Sequence, residues 1–344
     1  MVLGRGRRTG EQSEPQAIAA FWAWWEQAGG EVAAAIAAGA TGRVVKQLGR
    51  RVEALHPDLQ WELAPGRTAL HALCVSCGGQ GELRALTERW ALAAPPPDGT
   101  WEYHPARQPD PASLHRRLEI DGYGLVPGEA RLHVIVDQSR ALVDVGVHHP
   151  GFAGMPEPTR GTVAFLLLDW LLGEDGVERW TGIVTSGAEV PPDTVPASAL
   201  PEIVEGLAGR DSEPRWAVLQ GSDPDGHPIM AMARSPLKRV EFPLFDLHGA
   251  VTVEFLDATP EGIPRPDALE RLRVLEDDLD RMLGGDAVLA AHQTSRGRRT
   301  FHLYCDRYGP VPGLVDSWRA EHPAERVTVD WDVDGTWEAL RPFR

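Results

Sequence analysis

Apolar positions recur along this chain with two different periods, and the switches between them set the expected elements. Ile18, Phe21, Trp22 and Trp25 stand at i, i+3, i+4 and i+7, the spacing that puts side chains on one helix face. Gly29-Gly30 is expected to end this helix, with two more over Glu31 to Ala38 and Gly42 to Leu55. His56-Pro57-Asp58 closes the set, since proline cannot continue a helix. Alternating runs follow: Leu59 to Leu63 and Ala69 to Cys77 flank a Pro65-Gly66 turn and predict paired strands. A helix from Gln80 to Leu92 is stopped by Pro95-Pro96-Pro97. A short strand is expected at Trp101 to His104, a hairpin over Arg131 to Val136 and Ala141 to Val147, the most apolar helix at Pro158 to Leu172, and a returning strand at Thr181 to Ser186.

A Pro-rich stretch between Gly187 and Pro214, VPPDTVPASALP followed by a short helix and the polar run GRDSEP, is the expected domain boundary. Beyond it strands are predicted at Trp216 to Gln220, Pro228 to Ala233 and Ala250 to Leu256, then a helix from Pro266 to Leu283. Two strand-like runs around Ser295-Arg296-Gly297 form a hairpin, and a helix near Leu314 to Ala320 and a strand at Val327 to Trp331 complete the half. From Ala250 onwards the order is β-α-β-β-α-β, the split pattern of ferredoxin-like folds. The expectation is an α+β protein of two domains: a disordered tail over 1–14, helices followed by an α+β sheet over 15–190, a linker with a short helix over 191–213, and a ferredoxin-like domain with extra N-terminal strands over 214–344.

Length and charge narrow the classes. A chain of 344 residues is long enough for two buried cores. Its net charge of −16 opposes phosphate backbones and argues against nucleic acid as a partner. Three cysteines are an odd number and no disulfide framework, which points to the reducing cytoplasm. Arg5, Arg7 and Arg8 precede no apolar stretch, so no signal peptide is expected. The longest apolar run, Val163 to Leu172, is interrupted by Asp169 and too short for a bilayer. Lysine occurs only at positions 46 and 238, which reads as a compositional bias towards arginine.

Trp216 with the Asp225-Gly226-His227-Pro228 turn, the acidic helix LRVLEDDLDRML and the hairpin HQTSRGRRTFHLY resemble the bacterial domain of unknown function family 695. The first half, through FWAWWEQ, AAPPPDGTWEYHPAR and FLLLDWLLGED, resembles associated uncharacterised bacterial proteins. The resemblance implies an α+β fold and a neighbourhood with the regulator of ribonuclease activity B, an inhibitor of ribonuclease E. It carries over no catalytic residues.

The candidate chemistry is scattered. Arg296, Arg298 and Arg299 concentrate positive charge at a hairpin tip and could hold an acidic partner surface, or RNA with Tyr304 or Trp318 stacking on its bases. Glu276 and Asp280 share a helix face and could hold a cation, with a solvated face as the plainer explanation. Cys74 and Cys77 have redox spacing but lie in a strand, where residues three apart point to opposite faces. The same argument separates His302 from Cys305 and leaves His292 without two companions, so no metal is expected. Trp22, Trp24 and Trp25 read as packing, with one able to face a partner. His148 and His149, with Asp169 and Glu174, are acid-base candidates lacking motif context. Phosphate-binding, zincin and hydrolase motifs are absent from the sequence.

The reading that results is a cofactor-free cytoplasmic binding or regulatory module acting through protein contacts. Its expected partner is an acidic protein surface, of which a ribonuclease-type enzyme is one example, with no membrane. The alternative is a small-molecule hydrolase or transferase with an interdomain site.

Overall fold

A helix carrying three tryptophans within four positions needs an aromatic partner. The computed structural model, which describes residues 13–209 and 215–343, supplies one in the first of two compact units that divide between Gln108 and Pro109. Ser13 and Gln16 form a capping box at the start of α1 (Glu14–Ala37). The helix continues through Gly29-Gly30, so the expected break and the separate helix over 31–38 do not occur. Gly29 serves close packing instead: the Trp101 indole donates to its carbonyl at 3.0 Å, and an added Cβ would meet the Trp25 ring at 3.3 Å. Phe21, Trp22 and Trp25 are buried with Trp90, while Trp24 is half-buried beneath the Arg51 guanidinium. α2 (Gly42–Glu53) buries Val44, Leu48 and Val52 in the same core. β1 (Gln60–Pro65) pairs antiparallel with β2 (His71–Ser76), and α3 (Arg84–Leu92) carries the chain to β3 (Trp101–His104), parallel to β2. The order β1-β2-β3 leaves β1 at an edge.

The second unit contains two large sheets and one two-stranded sheet. β4 (Leu118–Ile120) and β5 (Tyr123–Leu125) form a small hairpin ahead of β6 (Arg131–Asp137) and β7 (Leu142–His148). Then come α4 (Glu157–Leu172), α5 (Glu174–Trp180), β8 (Thr181–Gly187), β9 (Val195–Pro196) and α6 (Leu200–Ala208), giving the sheet order β8-β7-β6-β9. α4 lays Val163, Leu167 and Leu171 against Val143, Val145 and Val147. Leu200, Val204 and Leu207 join that core, so most of the segment expected to be a linker is packed structure. The boundary between compact units falls at Gln108, well before it. Residues 1–12, where most of the expected tail falls, and 210–214, at the end of the expected linker, lie outside the described residues.

β10 (Arg215–Ser222) and β11 (Pro228–Ser235) open the remaining sheet, followed by β12 (Leu247–Glu254), α7 (Pro266–Leu283), β13 (Ala287–Ser295), β14 (Arg298–Cys305), α8 (Val311–Glu321) and β15 (Arg326–Val333). Its order is β10-β11-β13-β14-β12-β15 with antiparallel neighbours throughout. Leu272, Leu275 and Leu279 of α7 and Trp318 of α8 cover one face over Val251, Phe301 and Leu303. Trp337 and Leu340 cover the other over Ala291 and Tyr304. The β13–β14 turn has Arg296 and Gly297 at φ 50° and 74°, the left-handed pair of a type I′ hairpin. Helices and several separate sheets make the chain an α+β protein. No helix among the described residues is long and apolar enough to cross a membrane.

The two large sheets of the second unit are fastened by side chains. Lys238 donates to the Ala141 carbonyl at 2.9 Å and lies 3.8 Å from the Trp180 ring centre. Arg179 pairs with Glu241 at 2.6 Å, and Arg239 pairs with Glu178.

Candidate functional site

In the first unit no residue of β1 is more than partly buried. Trp61, Leu63 and Pro65 alternate along β1 and so share one face. Beyond the cover of α2 they line a groove of about 570 Å³ with Ile36, Val45 and Leu70. Leu70 is 69% exposed and Val45 39% exposed. The ionisable group in the lining is His71, whose ring packs against Trp101 at 5.1 Å. The floor is stiffened by Glu102, which accepts from the backbone amides of Arg67, Thr68 and Ala69 at 2.8, 2.8 and 3.1 Å and from the Thr68 hydroxyl at 2.7 Å. Burial opposes the charge on Glu102, but these donors and His104 hold its pKa far below the usual carboxylate range. The carboxylate therefore fixes the turn that presents Leu70.

Two of the three arginines at the hairpin tip, Arg296 and Arg298, are exposed, but carboxylates pair with both. Arg296 donates to Asp223 at 2.6 Å and to Asp225 at 2.5 Å, and Arg298 pairs with Glu254 at 2.9 Å. Arg299 is only 6% exposed, with its Nε donating to Thr294 at 2.9 Å. These acidic partners come from the β10–β11 turn and from β12, far from the hairpin in sequence, which is why the sequence suggested a patch. Tyr304 and Trp318 are likewise unable to stack on bases: both are buried, Tyr304 against Trp337 with its hydroxyl on Asp334, and Trp318 with its indole on Asp278.

Glu276, Arg299 and His292, which the sequence assigned to separate features, meet under α7. Glu276 lies 3.6 Å from both the His292 ring and the Arg299 guanidinium. Burial raises the Glu276 pKa and lowers that of Arg299. Burial, with Arg299 beside it, brings His292 down to about 4. Asp280 turns instead to Arg234 at 3.1 Å, so Glu276 and Asp280 do not form a joint cation site. On the opposite sheet face His248 and His302 stack, with ring nitrogens 3.0 Å apart. Burial lowers both, His302 to about 4. The local sequence offered no signal for this pair, whose members are 54 positions apart. Cys305 faces the α7 side, where burial pushes its thiol up to about 12, while Cys74 and Cys77 are also buried.

Asp223, Asp225 and His227 gather potential metal-ligand atoms within 4.8 Å of one another. The Arg296 guanidinium already sits between the two carboxylates, so the cluster has its cation. His149 accepts from the Gly151 amide at 2.8 Å and places its other nitrogen 3.1 Å from the Val126 carbonyl, which makes it a loop lock. His148 ends β7, its Nδ1 buried with no hydrogen-bond partner among the described residues. Asp169 is in α4 and Glu174 opens α5.

No curated protein matches the chain. Residues 215–343, from β10 to the end of the C-terminal helical turn, match the model of a family of unknown function, DUF695.

Proposed function

We propose that this protein is a cofactor-free binding or regulatory module that works through contacts with another protein, and that a segment of that partner docks in the groove of the first unit. The observation that carries the reading is the groove itself: about 570 Å³ of largely apolar lining, in the size range of ligand clefts, beside an exposed leucine and an edge strand. Such a surface favours binding over reaction, because the polar side chains in its lining are those of Thr41 and His71. The acidic partner expected from the sequence is retained, and its contact surface moves away from the hairpin tip. The hydrolase or transferase alternative loses support because His149 is committed to its own loop.

The reading places the protein in a bacterial cytoplasm, in keeping with three buried cysteines. The strand order of residues 247–333 supports a ferredoxin-like plan extended by β10 and β11. The test is a comparison of two baits, the wild-type chain and Leu70→Asp, used for capture from a nuclease-treated host lysate with quantitative mass spectrometry. A protein recovered in stoichiometric amount by the wild type and depleted at least about fivefold on the variant, with melting temperature unchanged, is the expected result. Equal recovery by both baits, or recovery of nothing, would overturn the reading.

A further inference from the structure

The chemistry of the docked segment can be taken from the helix beside the groove. α2 carries Arg43, Lys46, Arg50 and Arg51 against a single carboxylate, Glu53, in a chain whose net charge is −16. This inverts the charge balance of the rest of the molecule. Several arginines elsewhere are matched: Arg296 by Asp223 and Asp225, Arg298 by Glu254, Arg107 by Glu62. Arg43, Lys46 and Arg50 are exposed, and among the described residues no carboxylate pairs with any of them. Arg51 is held over Trp24, with its charge centre 5.4 Å from the ring centroid.

The position of these cations relates them to the groove. Val44, Leu48 and Val52 form the buried stripe of α2, and Val45 lies on its flank, in the groove wall. Lys46 and Arg50 stand about 100° further round the helix than Val45 and Gly49, on the exposed side of α2, from which their long side chains can reach back over the groove. Gly49 lets Trp61 approach, since a Cβ there would already touch the indole at 3.7 Å. The result is an apolar trough, floored by an edge strand six residues long and overlooked by unmatched positive charge.

Resting on the docking reading above, we propose that the occupant is an extended acidic segment of a partner protein. Two or three of its apolar side chains, at alternate positions, enter between Val45, Leu63 and Leu70, and flanking carboxylates meet Lys46 and Arg50. Burial of the apolar side chains supplies affinity. The charges supply selection and speed of encounter, so binding weakens as salt rises. A cationic segment of the same shape is repelled at the rim.

The probe is a fluorescein-labelled nonapeptide, Glu-Glu-Leu-Ser-Leu-Ser-Leu-Glu-Glu, titrated with the full chain by fluorescence anisotropy beside a counterpart with lysine at every glutamate. The expected result is saturable binding of the acidic peptide and at least about tenfold weaker binding of the basic one. The exposed double variant Lys46→Glu/Arg50→Glu should reverse that preference without changing the melting temperature. Equal binding of both peptides, lost in Leu70→Asp, would overturn the acidic occupant and leave the groove reading standing. Failure of both peptides to bind would overturn the acidic occupant, and the bait comparison would then judge the groove by itself.

Discussion

Glu102 shows how one carboxylate can organise a surface from beneath. Its two oxygens collect three backbone amides and a hydroxyl that would otherwise be left unsatisfied in the turn below Leu70. Glu102→Gln keeps the shape but replaces one acceptor oxygen by a donor, so the first unit should lose about 2–3 kcal/mol, measured by urea unfolding. The folded-state pKa is depressed, so the contribution of Glu102 is present above the unfolded carboxylate value and is lost as pH falls below it. His292 behaves differently. The fold keeps it neutral down to about 4, whereas the unfolded chain protonates near 6.5. The unfolded form therefore binds more protons between those values, and the second unit should weaken as pH falls through that window, by up to about 3 kcal/mol from this group. His302 acts in the same sense; Glu276, raised by burial, acts in the opposite sense and loses its contribution as pH rises. Hydrogen exchange from pH 7.5 to 4 should show the second unit loosening before the first, and His292→Gln should flatten its response. A second unit whose protection stays constant across the range would contradict this. Individual residues were the least legible part of the sequence. Arg299 looked like an exposed tip because Glu276, which meets it, comes from a helix far back in the chain.

At the scale of elements, periodicity located most helices and strands, because both the 3.6-residue and the alternating patterns report directly which face is buried. The failure at Gly29-Gly30 has a physical cause. Glycine is a poor helix former, yet Gly29 gives Trp25 and Trp101 room to pack, and that tertiary gain holds the helix together. The two glycines should therefore respond differently to substitution. A Cβ at Gly30 meets nothing within 4 Å, so Gly30→Ala should stabilise the first unit by about 0.5–1 kcal/mol through helix propensity. Gly29→Ala should give no gain or a loss, since the ring beside it must yield. Thermal melts of the two variants check the contrast, and equal stabilisation would contradict the packing account. The Pro-rich stretch near 191 misled for a related reason: Leu200, Val204 and Leu207 at helical spacing were a core signal, outweighed by the surrounding prolines.

At the scale of the whole molecule, the α+β class was readable, while the division at Gln108 was not. What fastens the two large sheets of the second unit, Lys238 on Trp180 and the Ala141 carbonyl, depends on residues roughly 60 to 100 positions away and leaves no local pattern. Lys238→Ala should lower the stability of the second unit by about 1–2 kcal/mol and broaden its unfolding transition as the two sheets begin to part, as followed by calorimetry. A sharp, unshifted transition would show that the fastening is elsewhere. The groove was also hidden from the sequence, since its lining is gathered from α1, α2, β1 and the turn into β2. The most direct measurement of its role is photo-crosslinking in living host cells from a benzoyl-phenylalanine placed at Leu70, with the same probe at Val274, another well-exposed position, on α7, as control. A discrete adduct with one other protein from Leu70, weaker in the Lys46→Glu/Arg50→Glu background and missing from Val274, is the predicted result. The same faint ladder from both positions would contradict the account.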